Sequence, residues 1–247
     1  TMTIYPSHIE LKGLDSSHIG LFDVKMHLDK LASHVTCAED KSFVIGFKTK
    51  AFLNFISRFE KNALNLEYAV SGNEDLLTMY EPLLEKTGSK RKQRNEIHMK
   101  LLDIESEQLS IPECDDWIEV DMEAIEWKKI INTAKDVSDA ISLKCTPEHF
   151  NYTCDGDLGT SSWHLFPESD NITIAQGDAN LTSANVKLSL VKIIKGCGKI
   201  DVKPGDRMKL RVVHNKICVF NYYLGDPTNP ECTLAYYLAG KIQDDDD

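Results

Sequence analysis

The sequence has 247 residues, with 28 Lys and Arg against 39 Asp and Glu, a formal net charge of -11, and 42% hydrophobic and 27% charged content. That length buries one large core or two smaller ones, and the proportions are those of ordinary globular proteins. No run approaches the roughly 18 apolar residues of a membrane-spanning helix, and no basic-then-apolar leader opens the chain.

In chain order, alternating apolar and polar residues predict strands over 9–14, 19–26 and 43–47, then a helix over 48–61. Strands resume over 64–70 and 76–80. A mixed, weakly periodic stretch with Pro112 follows at 97–113 and reads as a linker. Beyond it come a strand over 117–122, a helix over 125–137, and strands over 140–145, 150–154 and 172–175. A helix over 188–197 precedes the last strands, at 208–213, 217–223 and 234–238. A few helices among many short strands is an α+β pattern. The two halves are weakly alike: Ile9-Glu-Leu-Lys-Gly-Leu-Asp15 and Phe150-Asn-Tyr-Thr-Cys-Asp155 occupy matching places. The predicted organisation is a first domain at 1–96, a connector at 97–113, a second domain at 114–242 and an acidic tail at 243–247. The run Asp244-Asp-Asp-Asp247 reads as a solvated, disordered end.

The three predicted helices share a design. Trp127, Ile130, Ile131 and Ala134 form an apolar stripe, as do Leu190, Ile193, Ile194 and Cys197, and Phe52, Phe55, Ile56 and Phe59. The opposite faces carry Lys128, Lys129 and Lys135; Lys192, Lys195 and Lys199; and Lys50, Arg58 and Lys61. Glu60 and Asp136 are the acidic residues expected near these helix ends. Such lysines either solubilise an amphipathic helix or contact phosphates without reading bases.

Catalytic and metal chemistry find no pattern. H-E-x-x-H, G-x-S-x-G and P-loop spacings are absent. Asp155-Gly-Asp-Leu-Gly159 lacks the spacing and terminal Glu of a calcium loop and is assigned to a turn. Cys37, Cys114, Cys145, Cys154, Cys197, Cys218 and Cys232 are scattered without a C-x-x-C pair, which speaks against a zinc ribbon or a disulfide framework. A reducing compartment, nucleus or cytoplasm, fits best. No catalytic residue, metal or cofactor is therefore expected. Lys90-Arg-Lys-Gln-Arg94 reads as an exposed basic hairpin loop.

Three distant segments carry the functional signal: Leu14-Asp-Ser-Ser-His-Ile-Gly-Leu-Phe22, Glu107-Gln-Leu-Ser-Ile-Pro-Glu113 and Leu234-Ala-Tyr-Tyr-Leu-Ala-Gly-Lys-Ile242. Each mixes apolar residues with turn formers, as a peptide-docking surface would, although singly Leu14, Ile19 and Tyr237 could be core. In this order and spacing they resemble the proliferating cell nuclear antigen family of DNA sliding clamps, in a divergent form of the kind expected of a virus or another fast-evolving source. The resemblance implies two similar clamp domains, with antiparallel sheets outside and helices lining a ring around duplex DNA.

It further implies a processivity factor, not an enzyme, that works in DNA replication and repair. Its expected partners are sequence-independent double-stranded DNA, a DNA polymerase and other clamp-binding proteins, a clamp loader, and its own copies in a homotrimer. A heteromeric checkpoint-type clamp is the alternative. Client proteins would insert a helical plug with one aliphatic and two aromatic side chains against Leu14, His18, Ile19, Leu109, Ile111, Tyr237, Leu238, Ala239 and Gly240.

The subunit contact implied is an edge-to-edge sheet between strands near 95–102 and 171–175. Several positions depart from the family. A strand and helix on the order of 20–25 residues that usually precede the segment at 2–14 are missing, so either a truncated chain or a shortened first domain is expected. Asn54, Ser57 and Asn132 stand where basic residues are usual, and His164 where a modifiable lysine is frequent. Gly240 replaces a usual proline, which predicts a looser backbone. Lys216 stands about where the family has a pocket proline.

Overall fold

The structure is a computed structural model that describes residues 1–15, 17–32, 35–36, 42–59, 64–68, 72, 75–81, 95–103, 116–168, 171–178, 180–226 and 228–241. Its first strands are β1 (Met2–Ile4), β2 (His8–Leu14) and β3 (Gly20–His27), followed by the single turn α1 (Leu28–Leu31), β4 (Phe43–Ile45) and α2 (Thr49–Ile56). Next come β5 (Asn65–Tyr68), β6 (Leu76–Tyr80), β7 (Glu96–Lys100), β8 (Trp117–Glu123) and α3 (Ala124–Ala134). The remainder is β9 (Ala140–Cys145), β10 (Phe150–Gly156), β11 (Gly159–Leu165), β12 (Thr173–Gln176), β13 (Ala184–Ser189), α4 (Leu190–Gly196), β14 (Arg207–Val213), β15 (Ile217–Leu224) and β16 (Cys232–Ala239). The expected α+β class holds: antiparallel sheets dominate, with few helices.

The chain forms two compact units, Thr1–Ile4 with Ser42–Gln108, and Tyr5–Lys41 with Leu109–Asp247. Residues 5–41, assigned to the first domain from sequence, therefore belong with the carboxy-terminal unit. The reason is backbone pairing: β3 joins β16 from Cys232↔Met26 to Leu238↔Gly20.

In the smaller unit β1 pairs with β4, and β5, β6 and β7 form a three-stranded antiparallel sheet with β7 at one edge. Residues 97–100 were expected to open the linker but are strand. Ile97 and Met99 alternate inward and pair with Met79 and Leu77, both fully buried. Helix α2 is shorter than the predicted 48–61. Its last turn tightens where Arg58 N–H donates to the Phe55 carbonyl, and the Ser57 hydroxyl donates back to Asn54 O at 3.0 Å.

In the larger unit strands run β12-β8-β14-β15-β16-β3-β2, and a second sheet runs β11-β10-β9-β13. Strict alternation explains β14. Met208, Leu210 and Val212 are buried, while Arg207, Lys209 and Arg211 face outward onto acidic residues of β8. Arg207 pairs with Asp121 at 2.6 Å and Arg211 with Glu119 at 2.8 Å; such pairs fix register more than they stabilise. Trp127 of α3, wholly buried, packs 5.5 Å from Phe220 at the centre of this core. Residues 188 and 189, expected in a helix, close β13 because Leu188 pairs with Ile141. The turn predicted in 155–159 joins β10 and β11 through Gly156↔Gly159.

Candidate functional site

The loop from β2 to β3 is built on one carboxylate. Asp15 Oδ1 accepts hydrogen bonds from the backbone N–H groups of Ser17, Ile19 and Gly20 at 3.1–3.2 Å. Its Oδ2 accepts from the Ser17 hydroxyl at 2.6 Å and from Lys192 Nζ at 2.8 Å. Burial pushes the Asp15 carboxyl up, but these donors together outweigh it and hold it well below the usual carboxylate range. His18 takes a left-handed φ of 58°, which costs a non-glycine residue about 1–2 kcal/mol and is offset by the Asp15 hydrogen bonds.

This loop presents Ile19, 42% exposed, beside Leu14, 39% exposed. The last strand meets it directly: Leu238 pairs with Gly20, and Ala239 N–H donates to the Ile19 carbonyl at 3.0 Å. Directly paired residues share a face, so the register defines two apolar rows. One runs Leu14, Leu21, Tyr237 and Val219 across β2, β3, β16 and β15. The other runs Ile19, Ala239 and Ile217. Burial, followed by the nearby Asp23 carboxylate, pushes the Tyr237 phenol up. The first row ends where Arg211, opposite Val219, sets its guanidinium over the Trp117 ring at 4.2 Å.

Of the sequence-predicted pocket residues, Leu14, His18, Ile19, Tyr237 and Ala239 come together on or beside this face. Leu238 does not. It is fully buried in the core of the larger unit, because period two points it and Tyr236 inward while Tyr237 and Ala239 face out. Gly240 follows the strand, its N–H donating to Lys216 O at 2.8 Å, while Lys241 N–H donates to Lys187 O at 2.7 Å. The looser backbone expected at Gly240 is therefore replaced by two further hydrogen bonds. Leu109 and Ile111 lie outside the described residues. Leu21, Val219 and Ile217 were missed from sequence; cross-strand register, not composition, puts them in the rows.

Below the loop, Tyr236 is clasped by glycines. A Cβ built on Gly20 or Gly196 would stand 2.5 and 2.4 Å from its ring or hydroxyl atoms. Its hydroxyl donates to the Lys192 carbonyl at 3.3 Å, and burial pushes its phenol up to about 12.

The basic helix residues divide into committed and open ones. Lys128 Nζ donates to Ile200 O at 3.2 Å, and Lys192 is held by Asp15 and Ser17. Neither ammonium points freely outward, contrary to the sequence expectation, because loops pack over both positions. Lys129 pairs with Glu126 at 2.6 Å. Glu126 is an acidic residue in the first turn of α3 that the sequence reading of these faces passed over. Lys135 donates to Asn132 Oδ1 at 3.2 Å, just past the end of α3. Lys195 and Lys199 are exposed, Lys199 lying beyond the end of α4. In the smaller unit Lys50 and Arg58 are exposed, Arg58 lying 5.8 Å from the centre of the Phe55 ring. Lys61 and the basic loop at 90–94 lie outside the described residues.

Among the described residues no group of three His, Cys, Asp or Glu is placed to hold a metal ion. The described cysteines are free thiols, and Cys145, Cys154, Cys197 and Cys218 are buried. Among the described residues no helix is long and apolar enough to cross a membrane.

Known proteins resemble this chain in sequence and in fold. The family model for the proliferating cell nuclear antigen C-terminal domain matches residues 110–198. Proliferating cell nuclear antigen of Caenorhabditis elegans is 27% identical over 246 residues, spanning 96% of this chain and 86% of that protein. The Chaetomium thermophilum protein of the same name is 23% identical over 245 residues, spanning 97% of this chain and 88% of its own length. A crystal structure of PCNA from Thermococcus kodakaraensis superposes with a TM-score of 0.75 at 18% identity, covering 97% of this chain and 89% of that one. In its carboxy-terminal half, along its length in sequence and in its fold, this chain is thus similar to the proliferating cell nuclear antigens.

Proposed function

We propose that three copies of this chain close into a ring around duplex DNA and tether a DNA polymerase and other clamp-binding proteins through the apolar rows of the larger unit. The observation that carries the tethering is the outward face of β2, β3, β16 and β15. Leu14 and Ile19 are exposed there beside half-buried Leu21 and Tyr237. A peptide offering one aliphatic and two aromatic side chains in a helical turn would desolvate that face, and a few such anchors supply most of the affinity of a small interface. Nothing is cleaved or transferred. The clamp raises the effective concentration of its clients at DNA, at replication sites in the nucleus or cytoplasm, after a clamp loader has opened the ring.

Exposed cations face DNA in this reading: Lys50 and Arg58 from the smaller unit, and Lys129, Lys135, Lys195 and Lys199 from the larger. Their contacts are to phosphates, so no position along the duplex is preferred. With Lys128 and Lys192 committed elsewhere, few cations remain and the salt dependence is modest.

Two sheet edges among the described residues support ring closure. β7 is an edge of its three-stranded sheet, and β11 is an edge of its four-stranded sheet. An open edge invites pairing with another chain, and a closed ring removes it. We place the second contact at β11 instead of the segment at 171–175. β11 spans 7 residues against 4 in β12 and carries Trp163, 51% exposed. Light scattering over a concentration series tests the assembly. A mass near three times 27.9 kDa, lost on Trp163→Glu, supports the ring. A persistent monomer overturns the homotrimer and favours assembly with non-identical subunits.

A further inference from the structure

We propose that Lys192 is a positioning residue of the partner-binding face: through Asp15 and Ser17 its ammonium sets where Ile19 stands, and so couples helix α4 to peptide binding. The inference rests on the reading of the apolar rows as a peptide site. Asp15 divides its work between its two oxygens. Oδ1 organises the loop backbone through the N–H groups of Ser17, Ile19 and Gly20, while Oδ2 takes Lys192 Nζ at 2.8 Å. The Ser17 hydroxyl bonds to both partners. The Lys192 and Asp15 side chains are 24% and 23% exposed, so solvent screens the pair only in part.

The Lys192 backbone is fixed as well. Its carbonyl accepts from the Tyr236 hydroxyl, and the Tyr236 ring lies against Gly20 and Gly196. Residue 192 is thus tied by its side chain to the loop that carries Ile19, and by its carbonyl to the strand that carries Tyr237. An ammonium has three donors, and two are spent on Asp15 and Ser17. Anything that neutralises this ammonium or draws it away, such as acylation of the amine, frees the loop. Ile19 then pays more conformational entropy when a peptide orders it.

The test is fluorescence anisotropy with a labelled synthetic peptide that presents one aliphatic and two aromatic side chains on a helical turn. Lys192→Met should weaken binding roughly five- to tenfold, a coupling of ordinary size for contacting residues, while Lys192→Arg retains most of the affinity. Asp15→Asn should weaken binding as well, and the Asp15→Asn/Lys192→Met pair should bind no worse than Asp15→Asn alone. Thermal melts of each variant identify any general loss of folding, against which Lys192→Arg is the folded reference. Lys192→Met binding within about twofold of the unaltered chain, or losses that simply multiply in the pair, would overturn the inference while leaving the peptide site standing. Failure of the unaltered chain to bind the peptide would overturn the peptide site and this inference with it.

Discussion

Gly240 donates its backbone N–H to the carbonyl of Lys216 at 2.8 Å, which ties the end of the last strand to the turn between β14 and β15. The neighbouring bond from Lys241 N–H to Lys187 O carries the tie on to β13. A proline at position 240, usual in the resembled family, could make neither the donor nor the fit. A Cβ there would lie 3.0 Å from Val186 Cγ2 and 3.2 Å from Lys216 O. This chain therefore holds its carboxy-terminal segment by hydrogen bonding where its relatives are expected to use ring stiffness.

Gly240→Pro should accordingly destabilise the larger unit by about 1–3 kcal/mol, from one lost hydrogen bond, an orphaned carbonyl and local crowding. Urea denaturation gives the comparison. An unchanged or raised midpoint would show that the Lys216 contact is not formed in solution.

Gly196 offers a test in which two effects have opposite signs. At the end of α4, replacing glycine by alanine improves helix propensity by about 0.8–1 kcal/mol. The new Cβ, however, would stand 2.4 Å from Cζ of the Tyr236 ring, which Gly20 also approaches closely. Crowding in a packed site costs about 1–3 kcal/mol, so Gly196→Ala should lower stability. The double variant Gly196→Ala/Tyr236→Ala should show less additional loss than the two changes summed, because the crowding is gone. Additive losses would place the Tyr236 ring elsewhere.

The fold was legible where alternation is strict and illegible where it is not. Met208, Leu210 and Val212 announce β14, and Trp127, Ile130, Ile131 and Ala134 announce α3. β11 escaped notice because Gly159-Thr-Ser-Ser162 has no apolar alternation; its strand state comes from pairing with Phe150–Gly156. The apolar motifs pointed to the partner face, but not to which of their residues face out. Leu238 and Tyr237 are adjacent and both have large apolar bodies, and only the pleat sends one inward. Lys192 shows the other limit. Helical periodicity places it opposite Leu190, Ile193 and Ile194, and nothing local reveals that a carboxylate from the β2–β3 loop waits there.

Asp15 gives the structure a pH signature. Burial raises its pKa, but the Lys192, Ser17, Gly20 and Ile19 donors lower it by more, so the folded value lies below the unfolded one. A depressed acid stabilises the fold fully above its unfolded pKa of about 4, and that contribution is lost as pH falls toward the folded value. At pH 7 Asp15→Asn should therefore cost about 1–2 kcal/mol, discounted for partial exposure. That gap should stay level down to about pH 5 and narrow below about pH 4, as the unaltered chain loses what the variant never had. Denaturation curves of both proteins across that range decide it. A gap that ignores pH would mean that the hydrogen bonds of the loop do not depend on an ionised Asp15, and that Lys192 meets a neutral partner.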